Sequence, residues 1–300
     1  MTGESRYGWA HGIAARTTDN FDGKLCPRGR RLSLTLRKVR PVGQECRCDF
    51  ADMCDSQNGF AALPAPQVER TGVVEFYERI AEHFSQTRHT PWPRVVDFVM
   101  QCTHGDAVLD VGCGNGRHLL PAANVGAALF GCDIIARFVE ISHERKLLAV
   151  QCDGLHLPYR SSVFDRVLCV AVIHHLASEE RRFRLLEELF RVTRLKGFVL
   201  VTAWAFEQTP DSKRHFDAQD VTVPWKLPAQ HDLTRAAEVE AAADAKAVRK
   251  LPPSSVDRFC HVFRKGELEE LIGRMGAKVQ IVDSYYDNAN WAVIFKKVAL

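Results

Sequence analysis

No apolar run in this chain approaches the ~20 residues a helix needs to cross a bilayer. The longest lies at Phe198-Val-Leu-Val-Thr-Ala-Trp-Ala-Phe206. The opening residues, Met1-Thr-Gly-Glu-Ser-Arg-Tyr7, lack the basic-then-apolar layout of a secretory signal. No internal repeat is present. These absences predict a reducing location, cytosolic or nuclear, where the ten cysteines are thiols or metal ligands rather than disulfides. A core is not lacking. With 300 residues, 46% hydrophobic and 26% charged, the composition predicts a soluble globular chain of about two domains. It excludes collagen-like, largely disordered and disulfide-stapled mini-proteins.

Acidic residues are missing from one stretch. Between Lys24 and Arg40 there are seven basic residues and no acid. Residues 1–56 carry ten Lys/Arg against seven Asp/Glu, whereas the other 244 balance at 30 of each. A basic stretch of this kind suits a polyanion such as nucleic acid, and equally a solvated strand face.

Three zones follow from pattern. Residues 1–56 are rich in Gly and Cys and contain Arg31-Leu-Ser-Leu-Thr-Leu-Arg37, whose period-two alternation predicts a strand. Residues 57–70, with Pro64 and Pro66, read as a linker. From Thr71 onward strands alternate with helices. Strands are predicted at Ala107–Val111, Leu129–Cys132, Ala149–Cys152, Arg166–Ala171 and Phe198–Ala203. Helices are predicted at Val73–Phe84, at Arg94–Gln101, from about Phe138, and at Ser178–Thr193, the last with Ser178 as N-cap and Gly197 just past its end. Such alternation predicts an α/β fold with a doubly wound, Rossmann-like parallel sheet. Lys278–Ser284 and Trp291–Lys297 add a C-terminal antiparallel hairpin turning at Asp287-Asn288. Residues 208–255 break the pattern and read as an inserted, partly mobile segment.

The strongest motif is Val108-Leu-Asp-Val-Gly-Cys-Gly-Asn-Gly116. A dinucleotide fingerprint needs glycine at 117, where this chain has Arg117. The spacing is instead D-x-G-x-G-x-G, through Asp110, Gly112, Gly114, Asn115 and Gly116. It resembles motif I of class I S-adenosylmethionine (SAM) methyltransferases, which implies SAM as cofactor. Asp110 is then placed for the ammonium of its amino-acid tail. Asp133, ending the second strand, takes the position of the ribose acceptor, and Asp153 with Gly154 that of the adenine contact. Taken singly, each acid also reads as a loop cap.

Further segments carry a narrower resemblance. Ala81-Glu-His-Phe-Ser-Gln-Thr-Arg-His-Thr-Pro-Trp-Pro93, Ala171-Val-Ile-His-His175, Trp204-Ala-Phe-Glu-Gln208, Val221-Thr-Val-Pro-Trp-Lys-Leu-Pro228 and Arg258-Phe-Cys-His-Val-Phe-Arg-Lys-Gly-Glu-Leu268 look like tRNA methyltransferases that esterify 5-carboxymethyluridine at the wobble position. The likeness spans residues 71–300, here taken as the methyltransferase domain. It implies tRNA as partner, together with a small zinc-containing activator subunit that covers an apolar sheet edge. A carboxymethyl group is already anionic at neutral pH, so a cation and a dry pocket serve better than a strong base. Arg88 is the first candidate for that cation, or binds a phosphate or caps a helix. His174 and His175 stand where the acceptor sits, or are structural. Trp92 and Trp225 are candidates to stack on a flipped base, Trp92 equally a packing anchor. Arg258, with Arg214, Arg264 and Lys265, is a candidate for tracking the tRNA backbone.

Residues 1–56 resemble the last strands of an AlkB-type iron and 2-oxoglutarate dioxygenase, through Tyr7-Gly-Trp-Ala-His-Gly-Ile13 and Arg31–Arg37. The resemblance makes His11 a vestigial iron ligand and Arg31 and Arg37 vestigial 2-oxoglutarate ligands. Cys46, Cys48 and Cys54 look like a zinc cluster in fusions of that dioxygenase with the same methyltransferase. The fourth ligand is open between Cys26, His11 and, as the resemblance implies, a residue of the dioxygenase part not present in this sequence; the three cysteines equally read as free thiols in a loop. In the resembling family a His-x-Asp pair tens of residues before His11 completes the iron site, and no such pair stands before His11 in this sequence, so no hydroxylation is expected. The leading expectation is a SAM-dependent tRNA carboxymethyluridine methyltransferase. The alternatives are a methyltransferase of a small-molecule carboxylate and a non-catalytic RNA-binding remnant.

Overall fold

The structure, a computed structural model, describes residues 18–21, 24–27 and 67–299, apart from 211, 213 and 243. The chain divides into two units, Met1–Pro64 and Ala65–Leu300. In the first, β1 (Thr18–Phe21) pairs antiparallel with β2 (Lys24–Pro27), Thr18 opposite Pro27. The expected strand Arg31–Arg37 and the residues His11, Arg31, Arg37, Cys46, Cys48 and Cys54 lie outside the described residues.

The second unit is built on a seven-stranded sheet. Its strands are β3 (Ala107–Val111), β4 (Ala128–Asp133), β5 (Leu148–Gln151), β6 (Phe164–Val170), β7 (Thr193–Trp204), β10 (Val279–Asp287) and β11 (Asn290–Lys297), in the order β10-β11-β7-β6-β3-β4-β5. β3 to β7 run parallel, and β11 and β10 are antiparallel additions. Every residue of β3 and β6 is buried, as central strands covered on both faces require. Alternate side chains serve opposite layers. Leu109, Val167, Cys169, Val199 and Val201 pack with Leu185, Leu186 and Leu189 of the helix Glu179–Val192 and with Leu268 and Ile272 of Glu267–Gly273. Val108, Leu168 and Leu200 pack with Val95, Phe98 and Val99 of the helix Pro93–Met100. Each fully buried Leu contributes about 2 kcal/mol of transfer free energy.

In chain order the principal helices are α1 (Phe76–Thr87), α2 (Pro93–Met100), α3 (Ala136–Glu144), α4 (Glu179–Val192) and α5 (Glu267–Gly273). A lead-in, Gln67–Glu69 followed by the π-helical turn Arg70–Glu75, runs straight into α1. The predicted helix over Val73–Phe84 therefore starts as a π turn, because apolar periodicity does not distinguish i→i+5 from i→i+4 bonding. Ser178 caps α4, its Oγ accepting from the Arg181 N–H at 3.4 Å. Gly197 does not end α4. The helix stops at Val192 and Thr193 already begins β7, so Gly197 lies inside the strand. A Cβ there would meet the Asp165 carbonyl oxygen at 3.0 Å.

The C-terminal hairpin turns one residue later than the sequence suggests, at Asn288 and Ala289, both at positive φ (48° and 61°). The 208–255 segment is more regular than expected. It contains β8 (Asp220–Leu227), which pairs antiparallel with β9 (Ser254–His261), and two short helices, Ala236–Glu240 and Ala245–Lys250. β8 alternates, burying Val223, Trp225 and Leu227. The sheet's order reverses around β3, with β4 on one side and β6 on the other. In such folds a ligand crevice opens at the carboxyl ends of the strands beside this point.

Candidate active site

A cavity of about 690 Å³ opens there, lined by residues of the turn after β3, the ends of β4 and β6, the lead-in turn, α1, β8 and β9. The turn after β3 is held by backbone bonds: the Gly112 and Cys113 N–H groups both donate to the Cys132 carbonyl, at 2.8 and 3.0 Å. Gly112 has φ +73°, and a Cβ on it would stand 2.3 Å from Val172 Cγ2. Gly114, at φ +53°, has only Phe84 within 4 Å of such a Cβ, at 3.8 Å. The first glycine is thus required by packing, whereas the second leaves open space over the turn. Gly116 closes the turn, its N–H bonded to the Cys113 carbonyl.

Asp110 is buried, and neither carboxylate oxygen has a hydrogen-bond partner. Burial, then the charge of Asp133, pushes its carboxyl up to about 7, opposed by Arg117. Asp133 accepts from Gly114 N–H at 2.8 Å and Ile135 N–H at 2.9 Å. Burial raises it to about 6 despite those bonds. Asp153 lines the cavity beside Gly154 and also caps its own loop, Oδ1 accepting from Leu155 N–H at 2.9 Å. Asn115 lines the cavity and also braces it. Its amide donates to the carbonyl of Arg88 at 2.9 Å and ties the glycine turn to the end of α1. A buried carboxylate without a partner, two residues before a turn whose Gly114 leaves open space, fits a cationic ligand group such as the aminoacyl tail of SAM.

The other end of the cavity carries cations and aromatic rings. The His175 Nδ1 lies 2.9 Å from the Phe259 carbonyl, which only accepts, so the ring carries its proton there. Its Nε2 then accepts from the Tyr77 hydroxyl at 2.9 Å. Both ring nitrogens are engaged, so His175 is not presented to an acceptor as the sequence suggested. His174 is buried, stacks on Trp204 and accepts the Trp204 N–H on Nδ1 at 3.3 Å. Burial holds both rings neutral, His174 well below the usual histidine value and His175 down to about 3.

Arg258 is not on a surface. It is buried, donates from Nη1 to the Tyr77 oxygen at 3.3 Å, and its Nε has no partner. Its guanidinium stands 4.3 Å over Trp204, and Arg214 stands 4.4 Å over the same ring. Arg88, exposed at the end of α1, stands 5.0 Å over Trp225. Among the described residues no ion pair involves any of the three arginines. Burial and the charge of Arg258 lower the pKa of both Arg88 and Arg214. Trp225 is buried against Phe76 and Leu227, its Nε1 donating to His83 Nδ1 at 3.1 Å, and Trp92 is half-buried at the cavity edge. Trp225 is therefore wall rather than a free platform. Sequence reasoning missed Tyr77 and Trp204. The alternation of β8 around Trp225 was the available signal for that residue's burial.

The methyltransferase-domain family matches residues 109–201. The chain is 36% identical over 99% of its length to the tRNA (carboxymethyluridine(34)-5-O)-methyltransferase alkbh8 of Xenopus tropicalis, of which it spans 56%. It is 36% identical over 77% of its length to the tRNA (carboxymethyluridine(34)-5-O)-methyltransferase of Schizosaccharomyces pombe, of which it covers 98%. Among solved structures, the CcbJ methyltransferase of Streptomyces caelestis superposes with a TM-score of 0.56 at 12% identity, over 75% of this chain and 99% of that one, which supports the class I methyltransferase fold. With the glycine cradle and the acids around it, these likenesses show that the chain belongs to the tRNA (carboxymethyluridine(34)-5-O)-methyltransferase family.

Proposed function

We propose that this chain is a SAM-dependent methyltransferase that esterifies 5-carboxymethyluridine at position 34 of tRNA. The observation that carries the reading is a cavity lined by the glycine turn, Asp133 and Asp153, with the unpartnered carboxylate of Asp110 buried two residues before that turn, and with Arg258, a guanidinium lacking an anion, in the same cavity's wall. The residues around Asp110 would hold SAM, which supplies a methyl group on a sulfonium. Asp110 would meet its ammonium, Asp133 its ribose and Asp153 its adenine.

The acceptor carboxylate is ionised at neutral pH and needs no base. Burial lowers the pKa of both His174 and His175, which makes them weak bases and accords with that chemistry. What the protein contributes is position and a matched field. Arg258 and Arg88 pair with the carboxylate, Trp204 and the wall with Trp225 exclude water, and Trp92 stands at the mouth for the base. A small-molecule carboxylate would satisfy the same charges. The exposed guanidinium of Arg88 and the open cavity favour the larger RNA. The apolar edge strand β5, with Leu148 56% exposed, supports docking of the activator subunit. A cytosolic or nuclear location goes with a tRNA substrate. We also infer that residues 1–56 derive from an AlkB-like domain and that Cys46, Cys48 and Cys54 bind zinc. The support is the cysteine pattern and the alignment of nearly the whole chain with the Xenopus tropicalis relative.

The test is incubation with SAM and tRNA bearing 5-carboxymethyluridine, with and without the activator subunit, followed by nucleoside mass spectrometry. Methyl ester is expected. No ester from a chain that binds SAM overturns the acceptor.

A further inference from the structure

Arg258 occupies an expensive position. It is 5% exposed, surrounded by the rings of Trp204 at 4.3 Å, Trp225 at 5.7 Å and Phe76 at 5.8 Å, and no carboxylate among the described residues pairs with it. A buried guanidinium with an idle donor is costly unless something compensates it. Cation–π contact offsets part of that cost. The rest is met when an anion enters.

What fixes the guanidinium is a closed chain of hydrogen bonds. The Phe259 carbonyl forces the proton of His175 onto Nδ1, leaving Nε2 to accept from Tyr77. The Tyr77 oxygen, having spent its proton on His175, keeps lone pairs for the Nη1–H of Arg258. Phe259 adjoins Arg258 on β9, so the loop returns to the strand that carries the guanidinium. The lead-in helix is pressed against the same point. A Cβ on Gly72 would lie 3.0 Å from Phe259 Cβ, and Tyr77 follows five residues later. Every atom of the Tyr77 hydroxyl is thereby committed to the protein.

We propose that Tyr77 is a positioning residue that sets acceptor choice: its phenol holds Arg258 in the cavity wall so that this guanidinium selects an anionic acceptor over a neutral one of the same shape. The inference rests on the carboxymethyluridine reading and specifies how that site chooses. The carbamoylmethyl counterpart has nearly equal size, but it lacks the charge and turns one acceptor oxygen into an NH2 donor that a guanidinium cannot accept. Esterification also removes the charge, so the same guanidinium that retains the substrate does not retain the product.

The experiment measures binding of two anticodon stem-loop RNAs to the full 300-residue chain with S-adenosylhomocysteine present. One RNA carries 5-carboxymethyluridine at position 34 and the other the neutral 5-carbamoylmethyluridine. Wild type is expected to favour the carboxylate by about tenfold or more, as a charge-assisted hydrogen bond implies. Tyr77→Phe is expected to lose most of that preference by weakening the carboxylate RNA alone, with the folded circular-dichroism spectrum retained. Loss of general structure would weaken both RNAs alike. Arg258→Gln, which removes the charge, is expected to lose the preference too, and His175→Phe, which removes the imidazole that orients the phenol, decides the matter where Tyr77→Phe fails to fold. A wild-type preference surviving in a folded Tyr77→Phe, or in His175→Phe where that variant stands in, overturns the role of Tyr77 and leaves the acceptor reading intact. Absence of any preference in wild type overturns the acceptor reading itself, and the inference with it.

Discussion

The Glu69 carboxylate grips the Arg181 guanidinium from both oxygens, at 2.9 Å to Nε and 2.7 Å to Nη2, across 112 residues of sequence. Both side chains are buried, and Glu69 Oε1 also accepts the Ala177 N–H at 2.7 Å. The pair pins the start of the lead-in helix to α4, and the π turn that follows walls the cavity. Taking one member from a buried pair strands the other. Glu69→Ala is expected to cost about 3 kcal/mol in urea unfolding and to weaken cofactor binding. Glu69→Leu with Arg181→Leu is expected to recover much of the stability but not the seating of the turn. A Glu69→Ala chain as stable as wild type would show that the contact contributes nothing net.

Asp110 gives a pH dependence whose sign is fixed. Its carboxyl titrates near 7 in the folded chain against an ordinary value of 3.8. Between pH 4 and 7 the folded chain therefore holds a proton that the unfolded chain has released, and stability falls as pH rises through that window, levelling above 7. Asp133, raised to about 6, adds to the fall up to pH 6. Cofactor affinity runs the other way over pH 5.5–7, because the ionised carboxylate is the form that meets an ammonium. Asp110→Asn is expected to flatten much of the stability slope and to weaken SAM about 30-fold. Melting temperatures across pH without ligand, and calorimetric titration of SAM, measure the two effects separately. An unchanged slope in the variant would mean that Asp110 is ionised throughout.

The glycine turn makes a steric prediction. Gly112→Ala puts a methyl 2.3 Å from Val172 Cγ2 at a residue whose φ is +73°. Strain of that kind costs on the order of 1–3 kcal/mol before the clash is counted. SAM binding is expected to disappear, and Val172→Ala in the same chain to restore stability only partly, since it relieves the clash but not the backbone. Full recovery of binding in the double variant would mean that the turn tolerates another backbone angle.

The cradle was legible because its constraints are local. Asp110, Gly112, Gly114 and Gly116 sit within seven residues, and the run Ala107–Val111 is apolar apart from one acid, so motif and strand bounds follow from the same stretch. The acceptor end was not legible, because it is assembled by distant pairing. Arg258 reads as a solvated cation in its own segment. Its burial arises only when β9 pairs with β8 and the lead-in helix closes over both. Gly197 misled for a related reason: glycine after a helix usually signals a cap, but here the need for it is the nearness of Thr193 and Asp165 within the sheet. The role of Tyr77 depends on a histidine 98 positions away, and no periodicity encodes that distance.

Lys297 offers a prediction that separates stability from chemistry. Its ammonium is buried at the end of β11 and donates to the carbonyls of Thr193 at 2.9 Å and Phe190 at 3.0 Å, with Phe190 also beneath it as a cation–π partner at 4.3 Å. These are carbonyls at and just past the C-terminus of α4, which lack helical partners and attract a cation. The contact lies at the amino ends of the parallel strands, away from the cavity. Lys297→Met keeps most of the apolar stem and leaves the carbonyls unsatisfied, at an expected cost of about 2 kcal/mol in urea unfolding. SAM affinity at a temperature where the variant is folded is expected to match wild type. A matching loss of affinity would mean that the α4–β7 junction is coupled to the cradle through the sheet, and that the two ends of β6 and β7 do not behave independently.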